Sequence, residues 1–170
     1  MNKLLEIKNL STSFYTHLGE VQAVRDISFT LNKGDVLGIV GESGSGKSVT
    51  ALSIMRLVGI PGKIKDGQIT FEGTNLSEIS NKEMENLRGN DIAMIFQDPM
   101  TSLNPVFRIR NQMVEVIRRH TDLNYREAIE RAKDLLKQVG IPDPENQIRD
   151  YPHQFSGGMR QRALIATAIS

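Results

Sequence analysis

The sequence predicts an α/β fold in which strands come first, a glycine-rich loop joins one of them to a helix, and helices take over toward the C-terminus. Three observations carry that prediction. Residues 4–10 and 23–31 alternate apolar and polar side chains, the period of half-buried strands. Residues 36–40 (VLGIV) are an uninterrupted apolar run leading straight into GESGSGKS, residues 41–48, and such a run reads as a strand buried on both faces. From Arg108 onward the texture is charged and helical, with no strand pattern before Ser170.

The remaining elements follow in order. A turn carrying Gly19 separates the first two strands. After the glycine-rich loop, residues 49–58 repeat apolar side chains at helical spacing until Gly59 and Pro61 stop them. Residues 68–71 are a short strand opened by Asp66-Gly67, and residues 92–96 (IAMIF) a second buried-type strand that Asp98-Pro99 ends. A helix begins after Asn124, an N-cap with Glu127 three residues on, and stops before Gly140. Its apolar stripe is Ile129, Ala132, Leu135, Leu136 and Val139, with Glu127 and Arg131 on the wetter side.

With 170 residues, 39% of them hydrophobic, the chain has the length of one domain and the material for a sizeable core. Lys and Arg number 21 against 20 Asp and Glu, so no global field draws it onto nucleic acid or anionic lipid. It has no cysteine, which excludes a disulfide framework and cysteine metal sites. The first ten residues are too charged for a secretory leader, and no stretch reaches the ~20 apolar residues that span a bilayer.

Gly41, Gly46, Lys47 and Ser48 stand at the spacing of a phosphate-binding loop, directly after a predicted strand and before a predicted helix. The chemistry needs those types. Glycines let the backbone wrap a phosphate chain with its N–H groups inward, and the helix beginning near Lys47 turns its positive end to the same anions. Lys47 is expected to reach the β and γ phosphates and Ser48 to ligate Mg²⁺. Gln97 offers a side-chain amide that could ligate Mg²⁺ or orient a water, although alone it reads as an ordinary turn residue. Ser156 precedes Gly157-Gly158 and a helical run over residues 159–169, so locally it reads as an N-cap, with the geometry of a second anion site.

GESGSGKS, then IFQDPMTSLNP at residues 95–105, then FSGGMRQRALIA at residues 155–166, together resemble an ATP-binding cassette (ABC) transporter ATPase. The middle stretch is most similar to the oligopeptide, dipeptide and nickel importer branch. The resemblance covers nearly the whole chain, in the family's order. It implies a phosphate-loop NTPase fold with an N-terminal antiparallel β subdomain and a helical insert. Residues 1–99 would be the β subdomain and loop core, 100–155 the helical subdomain that docks on the permease, and 156–170 the signature helix. Gly41, Glu42, Ser43, Gly44, Ser45, Gly46, Lys47, Ser48 and Val49 would bind ATP, with Phe14 or its neighbour Tyr15 stacking on adenine. Gln97 would sense Mg²⁺ and the attacking water, and Ser156, Gly157 and Gly158 would bind the γ phosphate of an ATP held by a second subunit.

The partners implied are that second ATPase subunit, identical or different, two transmembrane permease subunits and, indirectly, an extracellular substrate-binding protein, with no nucleic acid. The place implied is the cytoplasmic face of the plasma membrane. Phe155 stands where the family's signature usually opens with Leu, and Met159 where it usually ends with Gln. In the family a strand bearing a Mg²⁺-organising aspartate and a catalytic glutamate follows the signature helix, and no such acidic pair precedes Ser170. The expectation is therefore a core lacking its C-terminal part, binding nucleotide poorly, inactive as an ATPase alone, and poorly soluble or partly unfolded. The competing readings are a noncatalytic nucleotide-binding remnant, a nickel or glutathione importer ATPase, an ABC-type ATPase of DNA repair, and a small phosphotransferase. The last two leave the Gln97 and Ser156 segments unexplained or require inserts that this chain lacks.

Overall fold

The computed structural model describes residues 2–97 and 102–170. It forms two compact units, Met1–Glu85 and Asn86–Ser170. The first is an antiparallel sheet with one helix after the glycine-rich loop. Strands β1 (Lys3–Thr16), β2 (Gly19–Asn32), β3 (Gly62–Phe71) and β4 (Thr74–Asn75) lie in the order β2-β1-β3-β4. The central β1 pairs antiparallel with β2, from Lys3 opposite Asn32 to Thr16 opposite Gly19, and with β3, from Leu5 opposite Phe71 to Phe14 opposite Gly62. All three long strands outrun their alternating patterns, because backbone pairing carries them through polar stretches such as residues 62–66 that side-chain periodicity does not mark.

Alternation does set which side chains enter this unit's core. Ile7, Leu10, Val24, Ile69 and Leu76 are buried there, each contributing about 1.5–3 kcal/mol of transfer free energy. Helix α1 (Lys47–Ile54) ends at Met55, and Arg56 adopts a left-handed φ of 51° so that Leu57 N–H bonds back to Leu52 O at 2.8 Å. The Arg56 guanidinium then donates to Leu76 O, Ile79 O and Asn81 Oδ1, tying the helix end to the segment that enters α2 (Asn81–Leu87).

The second unit is helical, as the charged texture predicts: α3 (Ile109–His120), α4 (Tyr125–Gln138), the short α5 (Pro144–Gln147) and α6 (Gly157–Ala168). Asn124 caps α4 by a capping box, its Oδ1 accepting from Arg126 and Glu127 N–H while Glu127 Oε2 accepts from Asn124 N–H. Glu127 thus turns to the cap, not to Arg131. Ala132, Leu135 and Leu136 of the predicted stripe are buried, joined by Ala128, and Ile129 and Val139 pack on the cluster's edge. Met113 and Ile117 of α3 and Ala163 and Ala166 of α6 close the same core. Among the described residues no helix is long and apolar enough to cross a membrane.

Two expected strands do not form. Residues 36–40 have no ladder partner among the described residues, and Val36 and Val40 are 99% and 93% exposed. Residues 92–96 show only an isolated bridge between Ile92 and Arg88, with Ile95 and Phe96 about half exposed. The reason is common to both. An apolar run supplies side chains that suit a strand, but a ladder also needs a neighbour's N–H and C=O groups, and no described segment offers them. The Asp98-Pro99 break expected after the second run lies outside the described residues, as do Met100 and Thr101 at the start of the predicted helical subdomain.

Candidate functional site: a phosphate-binding loop

The glycine-rich loop closes on its own lysine. Lys47 Nζ donates to Gly41 O at 2.6 Å, Glu42 O at 2.7 Å and Ser45 Oγ at 3.2 Å, using all three ammonium donors. A turn in which Ser45 N–H bonds Glu42 O at 3.2 Å shapes the bend beneath it. Gly46 is the N-cap of α1 at φ 90°, no side chain caps that end, and no acidic residue occupies the first turn. The first backbone bond of α1 runs from Thr50 N–H to Gly46 O at 2.8 Å, so the donors preceding it, with the helix dipole, favour an anion in front of Lys47.

The loop is pressed against the sheet at Gly46. A Cβ there would lie 2.4 Å from Ala23 O and 3.5 Å from Val24 Cγ2, so β2 and the loop meet backbone to backbone. The far end of α1 is held differently. Buried Thr12 of β1 and buried Ser53 of α1 share a hydrogen bond of 2.8 Å between their hydroxyls, and Ser53 Oγ also donates to Val49 O at 2.7 Å.

Phe14 and Tyr15 part company on β1. The half-buried Phe14 ring sits beside Val58, just beyond α1, and both crowd Gly62, where a Cβ would lie 2.6 Å from Phe14 Cε1 and 2.7 Å from Val58 Cγ1. Tyr15 is exposed, with Lys63 Nζ 4.9 Å from its ring centroid. Thr12, two residues before Phe14, faces α1, whereas Ser13, two before Tyr15, donates to Glu20, which also binds Lys65. The Lys65 ammonium and Ser13 hydroxyl hold the Glu20 carboxyl below the usual range, and Glu20 in turn raises Lys65.

Gln97 and Ser156 belong to the second unit. Gln97 is exposed at a bend. Ser156 is the N-cap of α6, its Oγ accepting from Met159 N–H at 3.3 Å, with exposed Gly157 and Gly158 opening the helix. Three features anchor the approach to it. Phe155 is 2% exposed, Tyr151 N–H donates to Gln154 Oε1 at 2.8 Å, and Arg160 Nε reaches back to Pro152 O at 2.6 Å. Burial thus suits Phe as well as Leu at position 155.

Among the described residues no cluster of three or more His, Cys, Asp or Glu side chains could hold a metal alone. Mg²⁺ does not require one, because it keeps water and phosphate oxygens and takes only one or two ligands from protein. The exposed Ser48 hydroxyl and Gln97 amide are hard oxygen donors of that kind. Sequence reasoning missed Thr12, Ser53 and Arg160. Thr12 and Ser53 stand far apart in the chain and only the fold pairs them.

A glycine-rich loop that gathers its backbone around a lysine at a helix N-terminus defines a phosphate-loop nucleotide-binding protein. The family model described as ABC transporter matches residues 24–170, and the chain belongs to that family. It is 53% identical to the oligopeptide transport ATP-binding protein OppD of Bacillus subtilis, over 100% of this chain and 48% of that protein. It is 52% identical to the dipeptide transport ATP-binding protein DppD of Lactococcus lactis, over 99% and 48%. The chain thus spans about half the length of the curated relatives it matches. Its fold is that of a solved dimeric ATP-binding cassette, MJ0796 bound to ADP and Pi, at a TM-score of 0.86 and 23% identity over 98% of this chain and 69% of that one.

Proposed function

We propose that this chain is the nucleotide-binding part of an ATPase subunit that drives import of oligopeptides or dipeptides. The Lys47 ammonium gathered over its own loop supports that reading most directly, and the peptide transport of its relatives suggests the substrate class. Residues 41–49 wrap the phosphates of ATP with backbone N–H groups. Lys47 exchanges the carbonyls of Gly41 and Glu42 for β- and γ-phosphate oxygens, trading neutral acceptors for charged ones. Ser48 offers an oxygen to Mg²⁺, and Gln97 is the second oxygen assigned to that ion. When bound, Mg²⁺ would supply positive charge that offsets the negative charge of the phosphates.

Phe14 offers its ring to the adenine from the side of the sheet that faces α1, which favours it over Tyr15. Ser156, Gly157 and Gly158 serve the γ phosphate of an ATP held by a second subunit, through the open end of α6. Two permease subunits tie the pair to the cytoplasmic face of the membrane, and an extracellular binding protein delivers substrate to them.

Titration of the chain with MgATP tests the core of this reading. Binding that Lys47→Ala abolishes supports it, and equal binding by both proteins overturns it. Phosphate release by these 170 residues alone is expected to stay at the Lys47→Ala level, and release well above it would overturn that expectation. For the substrate class, ATP hydrolysis by the subunit assembled with permeases should rise when a peptide-loaded binding protein is added. A response to nickel or glutathione but not to peptide would reassign the importer, and no response to any of them would favour a noncatalytic remnant.

A further inference from the structure

We propose that the buried hydroxyl pair of Thr12 and Ser53 is a positioning device: it sets the offset between the phosphate loop and Phe14, and so makes a nucleoside triphosphate, not a bare polyphosphate, the preferred ligand. The proposal rests on the nucleotide reading above and assigns a role to two residues outside the loop. Thr12 and Ser53 are both fully buried, a costly place for two hydroxyls unless their hydrogen bonds are made. Their protons can be assigned. Ser53 has one hydroxyl hydrogen and donates it to Val49 O at 2.7 Å, so the 2.8 Å contact is Thr12 donating to Ser53. The chain of bonds runs from β1 through Ser53 to the carbonyl of Val49, two residues beyond Lys47.

This link matters because it ties α1 to the strand that carries Phe14, whereas the Arg56 guanidinium ties the helix end to residues 76–81. The helix has eight residues, and its buried side chains are the hydroxyl-bearing Thr50 and Ser53, the second of them fully buried. Thr50 Oγ1 donates within the helix, to Gly46 O at 3.0 Å, leaving Ser53 as the buried polar tie from α1 to the sheet. Apolar contact alone resists separation but permits sliding, whereas a hydrogen bond holds only within a few tenths of an ångström. Gly46 against Ala23 O locates the front of α1 on β2, and Ser53 against Thr12 locates its back on β1. Phe14 follows Thr12 by two residues and lies beside Val58, so the tie that locates α1 also locates the ring relative to the loop. Lose the tie, and the loop still cradles phosphates while the base no longer meets the ring at stacking distance.

The test compares two ligands on the full chain, MgATP and the magnesium complex of inorganic tripolyphosphate, titrated against wild type, Thr12→Val, Thr12→Val/Ser53→Ala, Thr12→Ser and Phe14→Ala. Thr12→Val is the mildest, since Ser53 keeps its bond to Val49. The double variant and Phe14→Ala should each weaken ATP about tenfold, the lower end of the range for base–aromatic stacking, with tripolyphosphate affinity changed less than about twofold. Thr12→Ser, which keeps the hydroxyl, should restore ATP binding. Parallel loss of both ligands in the hydroxyl variants would reduce the pair to a structural role, and unchanged ATP binding would remove even that; either overturns the proposal. If wild type binds neither ligand, or Lys47→Ala binds both as wild type does, the nucleotide reading itself falls and takes the proposal with it.

Discussion

Replacing Gly46 by alanine should damage this protein far more than the same change at Gly44, although both glycines have positive φ, 90° and 83°. The backbone cost is shared, since an L-residue in the left-handed region loses roughly 1–2 kcal/mol. The surroundings differ. A Cβ on Gly44 meets nothing within 4 Å, whereas one on Gly46 lies 2.4 Å from Ala23 O, a backbone atom in the middle of β2. That carbonyl is backbone and cannot rotate away like a side chain: Ala23 falls at a register shift, held on either side by Val24 opposite Thr12 and Gln22 opposite Ser13. Overpacking of this kind costs a further ~1–3 kcal/mol, so Gly46→Ala is expected to lose about 2–5 kcal/mol against about 1–2 for Gly44→Ala. Urea unfolding followed by circular dichroism reads the difference, and MgATP titration should show binding lost in Gly46→Ala. Gly41→Ala is a useful third case, because its new methyl meets Ser45 Oγ at 2.6 Å, the tip of a movable side chain. Equal destabilisation by Gly44→Ala and Gly46→Ala would refute the idea that the loop is seated on β2.

In the second unit, Asn124→Ala removes the acceptor for two N–H groups and should cost about 1 kcal/mol, seen as a lower urea midpoint; no shift would mean that water replaces the cap freely. Leu135→Ala opens the fully buried centre of the helical core and should cost about 2–5 kcal/mol by the same assay. The Glu20–Lys65 pair makes stability depend on pH at both extremes. Glu20 titrates below its unfolded value, so its contribution is complete above roughly pH 4.3 and is lost as pH falls through the lower folded value; Lys65 titrates above its unfolded value, so its share is lost as pH rises past roughly 10.4. Stability measured against pH for wild type and Glu20→Gln should therefore converge in acid, and a gap that persists there would contradict the assignment.

The features legible in the sequence share one property: each is decided within a few residues. The glycines and lysine of residues 41–48, the Asn124–Glu127 cap, the stop at Gly140 and the Ser156 cap all depend on spacing along one strand of backbone. Local geometry decides them, so order in the chain suffices. The apolar runs at residues 36–40 and 92–96 were equally clear as patterns, yet a ladder belongs to two segments and one segment's side chains cannot supply the other's N–H and C=O groups. The same limit hid the Thr12–Ser53 bond, whose partners nothing local announces. It also left Phe14 and Tyr15 interchangeable until the sheet put them beside different neighbours, Val58 and Lys63. Sequence alone therefore determined that a loop suited to phosphate stands before a helix. Tertiary structure decided how that loop is seated and which aromatic shares its side of the sheet, because both depend on contacts between segments distant in the chain.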